Sequence, residues 1–280
     1  MHNGADINIK DKSCKTPLAT ALQTFPDSGI DVTNFLLDEG TDIQVPSKLK
    51  TRLLFIACSQ GLIGIVKQLV VDGVDINVSC DSWYDDSTPL LVAINQGHKD
   101  VAQLLIANGA DTNCINMRRS WQGETPLHEA VRTENQTFVQ CLLSYGADVN
   151  VKDEEGNTAL HFSALEGFAD ITDLLLSYNP DVNVKNKAGT PPLHYAASRG
   201  HKDVVKSLLI NGASINMKDK SGDTPLHKAA LRGQKDVVEL LITHGANIQA
   251  KDNLGRTPLD EAIRRGHDDI VTHLRNAGKE

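Results

Sequence analysis

A near-regular period of 33 residues is the feature that most narrows what this chain can fold into. Cut at T-P-L or a related tripeptide, the 280 residues give unit starts at Thr16, Arg52, Thr88, Thr125, Thr158, Pro191, Thr224 and Thr257. The intervals are 36, 36 and 37 residues, and then 33 four times. Such self-similarity means that one supersecondary unit recurs and each copy finds its hydrophobic partner in the next. The best-formed copy reads "DKSGDTPLHKAALRGQKDVVELLITHGANIQAK" over 219–251. Thr224 suits a helix N-cap, and Pro225 suits the first helical position, where its missing N–H costs nothing. Leu226, Ala229 and Ala230 make a short apolar face, and the alanines allow close helix approach. Gly233 ends that helix and Asp236 puts negative charge at the start of the next. Val237, Leu240 and Leu241 supply the second buried stripe, and Gly245 closes it in a left-handed turn. Neither helix reaches the ~12–15 residues that an isolated helix needs, so a lone unit does not fold and stability is a sum over stacked neighbours.

The residues T-P-L-H, A-A, the mid-unit glycine, D-V-V, L-L and G-A-x-x-N carry a resemblance to the ankyrin-repeat family. They recur in "TPLHEAV", "TALHFSA" and "PPLHYAA", and weakly in "TRLLFIAC", where Thr51 precedes the anchor Arg52. The resemblance implies an all-α ankyrin-repeat solenoid of helix-turn-helix units with β-hairpin-like finger loops, elongated and curved, at ~10 Å per packed helix layer. The units are expected at 11–46, 47–82, 83–119, 120–152, 153–185, 186–218, 219–251 and 252–280, with 1–10 the tail of a preceding or truncated repeat. "HNGADIN" reads as such a tail, and we expect the array to have been cut from a longer one. At the other end His273 and Arg275 stand where Leu240 and Ile242 stand one unit earlier, the polar outer face of a terminal cap.

The early units depart from the pattern. About three extra residues fall around "TFPDSGI" (24–30), and the fingers before Thr88 and Thr125 are longer than the regular ones by 3 and 4 residues. Each long finger carries one of the chain's two tryptophans, Trp83 beside Tyr84 and Trp121 near Arg118 and Arg119. Two readings stay open. These rings fold back over their own loops, or they anchor a partner, since Trp beside Arg is the composition of binding hot spots. Asp81, Asp85 and Asp86 can pair with Arg118 and Arg119 across the two fingers, at roughly 1 kcal/mol or less each. Cys14, Lys50 and Asp86 occupy tip positions held elsewhere by glycine, which costs roughly 1 kcal/mol apiece if the turns stay left-handed.

In the resembling family, partners lie along a concave face made of finger tips and first helices. Carried over, the candidate partner-binding residues are Trp83, Tyr84, Arg118, Arg119, Trp121, Arg132, Glu166, Lys187, Arg199, Lys220, Arg232, Arg256, Arg264 and Arg265. The fifth unit offers a charge of −3 on this face, and the sixth, seventh and eighth offer +2, +1 and +3. On a chain of net charge −8, that basic run is either ordinary solvated surface or a dock for an acidic peptide or acidic domain surface.

The search for chemistry yields little. His128, His161, His194 and His227 share one place in the repeat, and His98, His201 and His267 share another, so both sets point to stacking. We expect no catalytic, metal or cofactor site, because no H-E-x-x-H, paired C-x-x-C, phosphate loop, dinucleotide fingerprint or nucleophile elbow is present. The acidic balance argues against nucleic-acid binding. Five cysteines without pattern point to reduced thiols and a cytoplasmic or nuclear setting, although Cys80 and Cys114 could pair under oxidation. The apolar run 53–71 is interrupted by Ser59, Gln60 and Gly61, which argues against membrane insertion. The expected function is that of a non-enzymatic scaffold or adaptor, a monomer that binds a protein or peptide. The rival is the targeting region of a larger enzyme, such as a ubiquitin ligase component, or of a host-directed effector.

Overall fold

A computed structural model describes residues 6–24, 29–79, 87–114 and 123–278. Sixteen helices and no strand occur among the described residues. The chain divides into two compact units, Met1–Ser120 and Trp121–Glu280. In the first unit α1 (Pro17–Thr24) packs on α2 (Gly29–Asp38), α3 (Ser47–Gln60) on α4 (Ile63–Val71), and α5 (Pro89–Asn95) on α6 (Lys99–Ala107). In the second unit the pairs are α7 (Pro126–Arg132) with α8 (Gln136–Ser144), α9 (Ala159–Glu166) with α10 (Ala169–Leu176), and α11 (Pro192–Arg199) with α12 (Lys202–Ile210). The last two are α13 (Pro225–Arg232) with α14 (Lys235–Thr243) and α15 (Pro258–Arg265) with α16 (Asp268–Ala277). Within this unit the first helices stack in the order α7, α9, α11, α13, α15 and the second helices in the order α8, α10, α12, α14, α16. The result is the layered all-α repeat architecture that the period implies.

The core is the seam between these layers. Leu160, Leu193 and Leu226 of the first helices are buried, as are Leu175, Leu208 and Leu241 of the second helices that pack on them. In α14 the stripe differs from expectation: Val237, Val238 and Leu241 are buried, whereas Leu240 is only half-buried. Val238 lies next to Leu241 on the helix face that meets α13, and Leu240 is turned toward the rim. All helices are 7–10 residues long except α3, with 14, so they depend on their neighbours for stability.

The recurring histidine builds the joints. In α7, α9 and α13 it occupies the third helical position, and its Nδ1 accepts the N–H of the N-cap threonine, at 3.0 Å for both His128 and His161 and 3.2 Å for His227. This is a capping box with imidazole in the place usually taken by Glu or Gln. The same ring reaches forward: Nε2–H of His128, His161, His194 and His227 donates to the carbonyls of Asn157, Thr190, Asp223 and Arg256 at 2.9–3.2 Å. A ring that accepts at Nδ1 and donates at Nε2 is neutral. Burial pushes the imidazoles of His128, His161 and His194 down to about 4. His194 lacks half of the arrangement, because Pro191 stands at its N-cap and has no N–H, so its buried Nδ1 is left without a partner.

The described fingers are hairpin-like loops that close with a single rung, as in Asp219 N–H to Asp223 O and Asp252 N–H to Arg256 O. Some expectations at the early tips need correction. Lys50 occupies no tip turn, because α3 begins at Ser47 and carries it inside the helix, with its Nζ 2.5 Å from Asp72. Pro46 at the N-cap of α3 explains the early start, since its ring fixes φ ahead of the first turn. Arg52 is therefore helical too, and its Nη1 donates to Leu22 O and Gln23 O at the end of α1. Cys14 does hold a left-handed turn, at φ 59°, while Asp86 lies outside the described residues. No helix among the described residues is long and apolar enough to cross a membrane.

Two outcomes follow from the histidine joints. Pro191→Thr supplies the missing N–H and hydroxyl to His194, and a rise of about 1 kcal/mol in unfolding free energy is expected from denaturant titration; no gain or a loss would count against the joint. For pH, a buried neutral histidine gives stability that is full above its unfolded value of 6.5 and lost as pH falls toward about 4. Glu124 acts in the opposite sense: burial raises it from 4.5 to about 7, so its share is present in acid and lost as pH rises through about 7. With three histidines against one glutamate, stability falls on the order of 4 kcal/mol between pH 7 and pH 5. A flat profile would show that the rings are hydrated in solution.

Candidate protein-binding surface

The second unit presents a row of side chains at one repeated position, the last residue of each first helix. Glu166, Arg199, Arg232 and Arg265 end α9, α11, α13 and α15, and all four are exposed. The platform below them is tied together by the residue that follows the mid-unit glycine. His201 and His267 donate from Nε2 to Leu165 O and Leu231 O at 3.1 and 3.3 Å, and Gln234 donates from Nε2 to Ser198 O at 3.4 Å. Each ring lies so close to the glycine before it that a Cβ there would clash. At Gly167, with φ 85°, that atom would lie 2.4 Å from His201 Nδ1. Glycine therefore admits the cross-brace and ends the helix in the same step.

A groove of about 470 Å³ opens beside this row, lined by Leu165, Tyr195, Ser198, Arg199, Arg232 and Gln234. Tyr195 is held in place by Asn186, whose Nδ2 donates to the phenol oxygen at 3.0 Å and to Asn157 Oδ1 at 2.8 Å. The finger tips continue the surface. Lys187 N–H donates to Glu155 O at 2.8 Å, and Asn253 N–H to Ser221 O at 3.0 Å. Lys187 and Lys220 are exposed, and the ammonium of Lys220 donates to Lys187 O.

The expected basic face divides into free and engaged cations. Arg199, Arg232 and Arg265 make no ion pair among the described residues. Arg256 is engaged by Asp252 at 2.7 Å and by Glu261 at 2.9 Å, and Arg264 by the other oxygen of Glu261 at 2.5 Å. Glu261 is buried, so its charge requires these partners. The +3 assigned to the eighth unit omitted Glu261 and Asp252, and with both included it is +1. Arg132 is likewise held by buried Glu129, with both oxygens at 2.8–2.9 Å, and lies 3.8 Å from Glu124. Trp83, Tyr84, Arg118, Arg119 and Trp121 lie outside the described residues, as does Cys80.

Tyr195 and Gln234 were not singled out from the sequence. Gln234 had a usable signal, since it stands where His201 and His267 stand in adjacent units. Two of the described thiols are ill suited to nucleophilic work: burial pushes Cys58 up to about 12 and Cys114 up to about 11, which keeps both protonated. Cys114 Sγ lies 3.4 Å from Thr88 Oγ1.

Comparison with known proteins agrees with this architecture. Residues 54–153, 135–219 and 193–280 each match the family described as ankyrin repeats (3 copies). An ankyrin repeat protein of fowlpox virus (strain NVSL) is 36% identical over 116 residues, covering 41% of this chain and 33% of its own. The mouse B-cell lymphoma 3 protein homolog is 32% identical over 164 residues, 58% of this chain and 35% of its own. The human transient receptor potential cation channel subfamily A member 1 is 30% identical over 200 residues, 59% of this chain and 17% of its own. The chain thus spans about a third or less of the length of these relatives. With matches running from residue 54 to residue 280 and helix pairs recurring through them, three capped by histidine at α7, α9 and α13, the chain belongs to the ankyrin-repeat family, whose repeats are protein–protein interaction modules.

Proposed function

We propose that this chain is a non-enzymatic scaffold or adaptor module whose second unit binds an extended acidic peptide, or the acidic edge of a protein domain, across the last turns of α9, α11, α13 and α15. The carrying observation is the set of three exposed arginines, Arg199, Arg232 and Arg265, one helix pair apart and with no ion pair among the described residues, the first two of them lining a mixed polar and apolar groove. Stacked helices lie ~8–10 Å apart, a spacing that acidic side chains on an extended chain can match about every third residue. Arginine at a helix C-terminus also favours the helix dipole, which accounts for its position but not for the groove that Arg199 and Arg232 share. Glu166 at the α9 end of the row gives it a direction, so a bound peptide places a basic residue there and its acids toward α15. Lys187 and Lys220 add charge from the finger tips, whereas Arg132, Arg256 and Arg264 serve internal carboxylates and contribute less.

Selection of a displayed library of random peptides against the full chain is expected to enrich Asp and Glu, and added salt should weaken capture. Arg199→Glu with Arg232→Glu should reduce capture at least ~tenfold without moving the unfolding midpoint, since neither arginine has an internal partner. Enrichment of uncharged peptides, or capture indifferent to salt and to both substitutions, would overturn the reading.

The tryptophan fingers make a second, separable contribution. Trp beside Arg is hot-spot composition, so Trp83 and Trp121 are proposed as partner anchors. Trp121→Ala is expected to weaken capture of a protein partner while thermal unfolding shifts little. A large stability loss would instead mean that the ring covers its own loop.

A further inference from the structure

No carboxylate lines the groove beside Arg199 and Arg232, and the repeat shows why. The fourth residue of the first helix is Glu129 in α7, Phe162 in α9, Tyr195 in α11, Lys228 in α13 and Glu261 in α15. Where it is glutamate, the arginine three residues on is drawn to it: Arg132 lies 2.8 Å from Glu129 and Arg264 2.5 Å from Glu261. The two layers that build the groove lack that acid. Lys228 instead binds Asp219 at 2.8 Å and Asp223 at 2.7 Å, so the carboxylates of the adjoining finger are already neutralised. Arg199 and Arg232 are left with no ion pair among the described residues.

The rest of the lining adds uncharged donors. The phenol oxygen of Tyr195 accepts from Asn186 Nδ2 at 3.0 Å, which leaves its own O–H to be donated, and nothing among the described residues takes it. The hydroxyl of Ser198 is likewise without a partner among the described residues, while the Ser198 carbonyl accepts from Gln234. Two guanidiniums from layers ~8–10 Å apart therefore meet a phenol and a hydroxyl at one opening. A carboxylate brings one charge and two oxygens, which a single guanidinium fork saturates. A phosphomonoester brings a charge of about −1.5 to −2 at pH 7 and three acceptor oxygens. It can neutralise both arginines and still accept from Tyr195 or Ser198. Leu165 and the Tyr195 ring give the opening an apolar wall, which suits the carbon stem of a phosphorylated side chain and does nothing for a free ion.

We infer that this groove reads phosphate: it takes one phosphorylated side chain of a bound peptide, clamped between Arg199 and Arg232. The inference rests on the acidic-peptide reading for the surface and adds the identity of one position. Peptide libraries of otherwise equal composition, with phosphoserine, phosphotyrosine, glutamate or serine fixed at the centre, are offered to the full chain. A phosphorylated library should be captured at least ~tenfold better than the glutamate library, whichever stem fits the groove, and inorganic phosphate should compete. Arg199→Lys with Arg232→Lys keeps both charges but removes the forks. That pair should cut the phosphate excess below ~threefold while glutamate capture and the unfolding midpoint change little. Tyr195→Phe should lower the excess as well. Equal capture of phosphorylated and glutamate libraries overturns the inference and leaves the acidic-peptide reading standing, whereas capture of neither overturns both. A phosphate excess that survives the lysine pair places the phosphate elsewhere and also overturns it. So does equal competition by a single-stranded oligonucleotide, whose singly charged diesters would mark a general polyanion surface.

Discussion

The second unit depends on one recurring bond, the donation from a buried histidine to a carbonyl 29 residues further along the chain. A helix of eight residues has lost much backbone entropy for few internal hydrogen bonds, and only packing makes up the deficit. The leucine seam supplies that packing but is poorly directional. The imidazole adds geometry: one nitrogen fixes the start of its own helix and the other fixes the finger of the next, so successive helix pairs share a register. Because a carbonyl needs a donor and the threonine N–H needs an acceptor, the ring has one useful state, the neutral Nε2–H form. The same requirement makes the joint sensitive to acid, since a proton on Nδ1 displaces the threonine N–H.

The fold was largely legible because its signals are local and repeated. T-P-L-H states an N-cap, a first-turn proline, a core leucine and the joint histidine within four residues, and each of these roles is seen in α13. What the sequence concealed were substitutions whose effect depends on a neighbour. Lys50 looks like a tip residue by counting, but Pro46 starts α3 early and carries it into the helix. Pro191 looks like a harmless variant of threonine until the unpartnered Nδ1 of His194 shows what the missing N–H did. Val238 and Leu240 exchange their expected roles because the helix face in contact with α13 is set by the stack and not by the apolar count alone.

The candidate surface was legible only in part, for an electrostatic reason. Counting charges along the exposed positions treats every arginine as available. Glu261 and Glu129 are buried, and a buried carboxylate keeps its charge only beside a cation, so Arg256, Arg264 and Arg132 are drawn inward. Such acids lie outside any list of surface residues, which is why the tally was too high at the eighth unit. Spacing alone marks two of the free arginines, since Arg232 follows Lys228 and Ala229 and Arg199 follows Tyr195 and Ala196, whereas Arg265 stands four residues after Glu261, whose oxygens are engaged by Arg256 and Arg264. That pattern could have been read from the sequence for Arg199 and Arg232, but for Arg265 it takes the structure to show that Glu261 is already engaged by two other arginines.

Repetition also turns exposure into an argument. A single exposed valine means little on an ordinary globular surface, where apolar atoms are common. In a stack, each place has several copies in nearly the same surroundings, so a deviation at one copy can be set against the others. Val32 is half exposed, Ile65 is intermediate and Ile270 is fully covered at one and the same place, eight residues before the glycine that follows the second helix, so copies of a place differ with what packs on them. Ile65 of α4 is the instructive copy, since it stays half-buried although α1 and α2 precede it, so an open side chain has to be weighed against every other copy of its place before it is read as a missing neighbour.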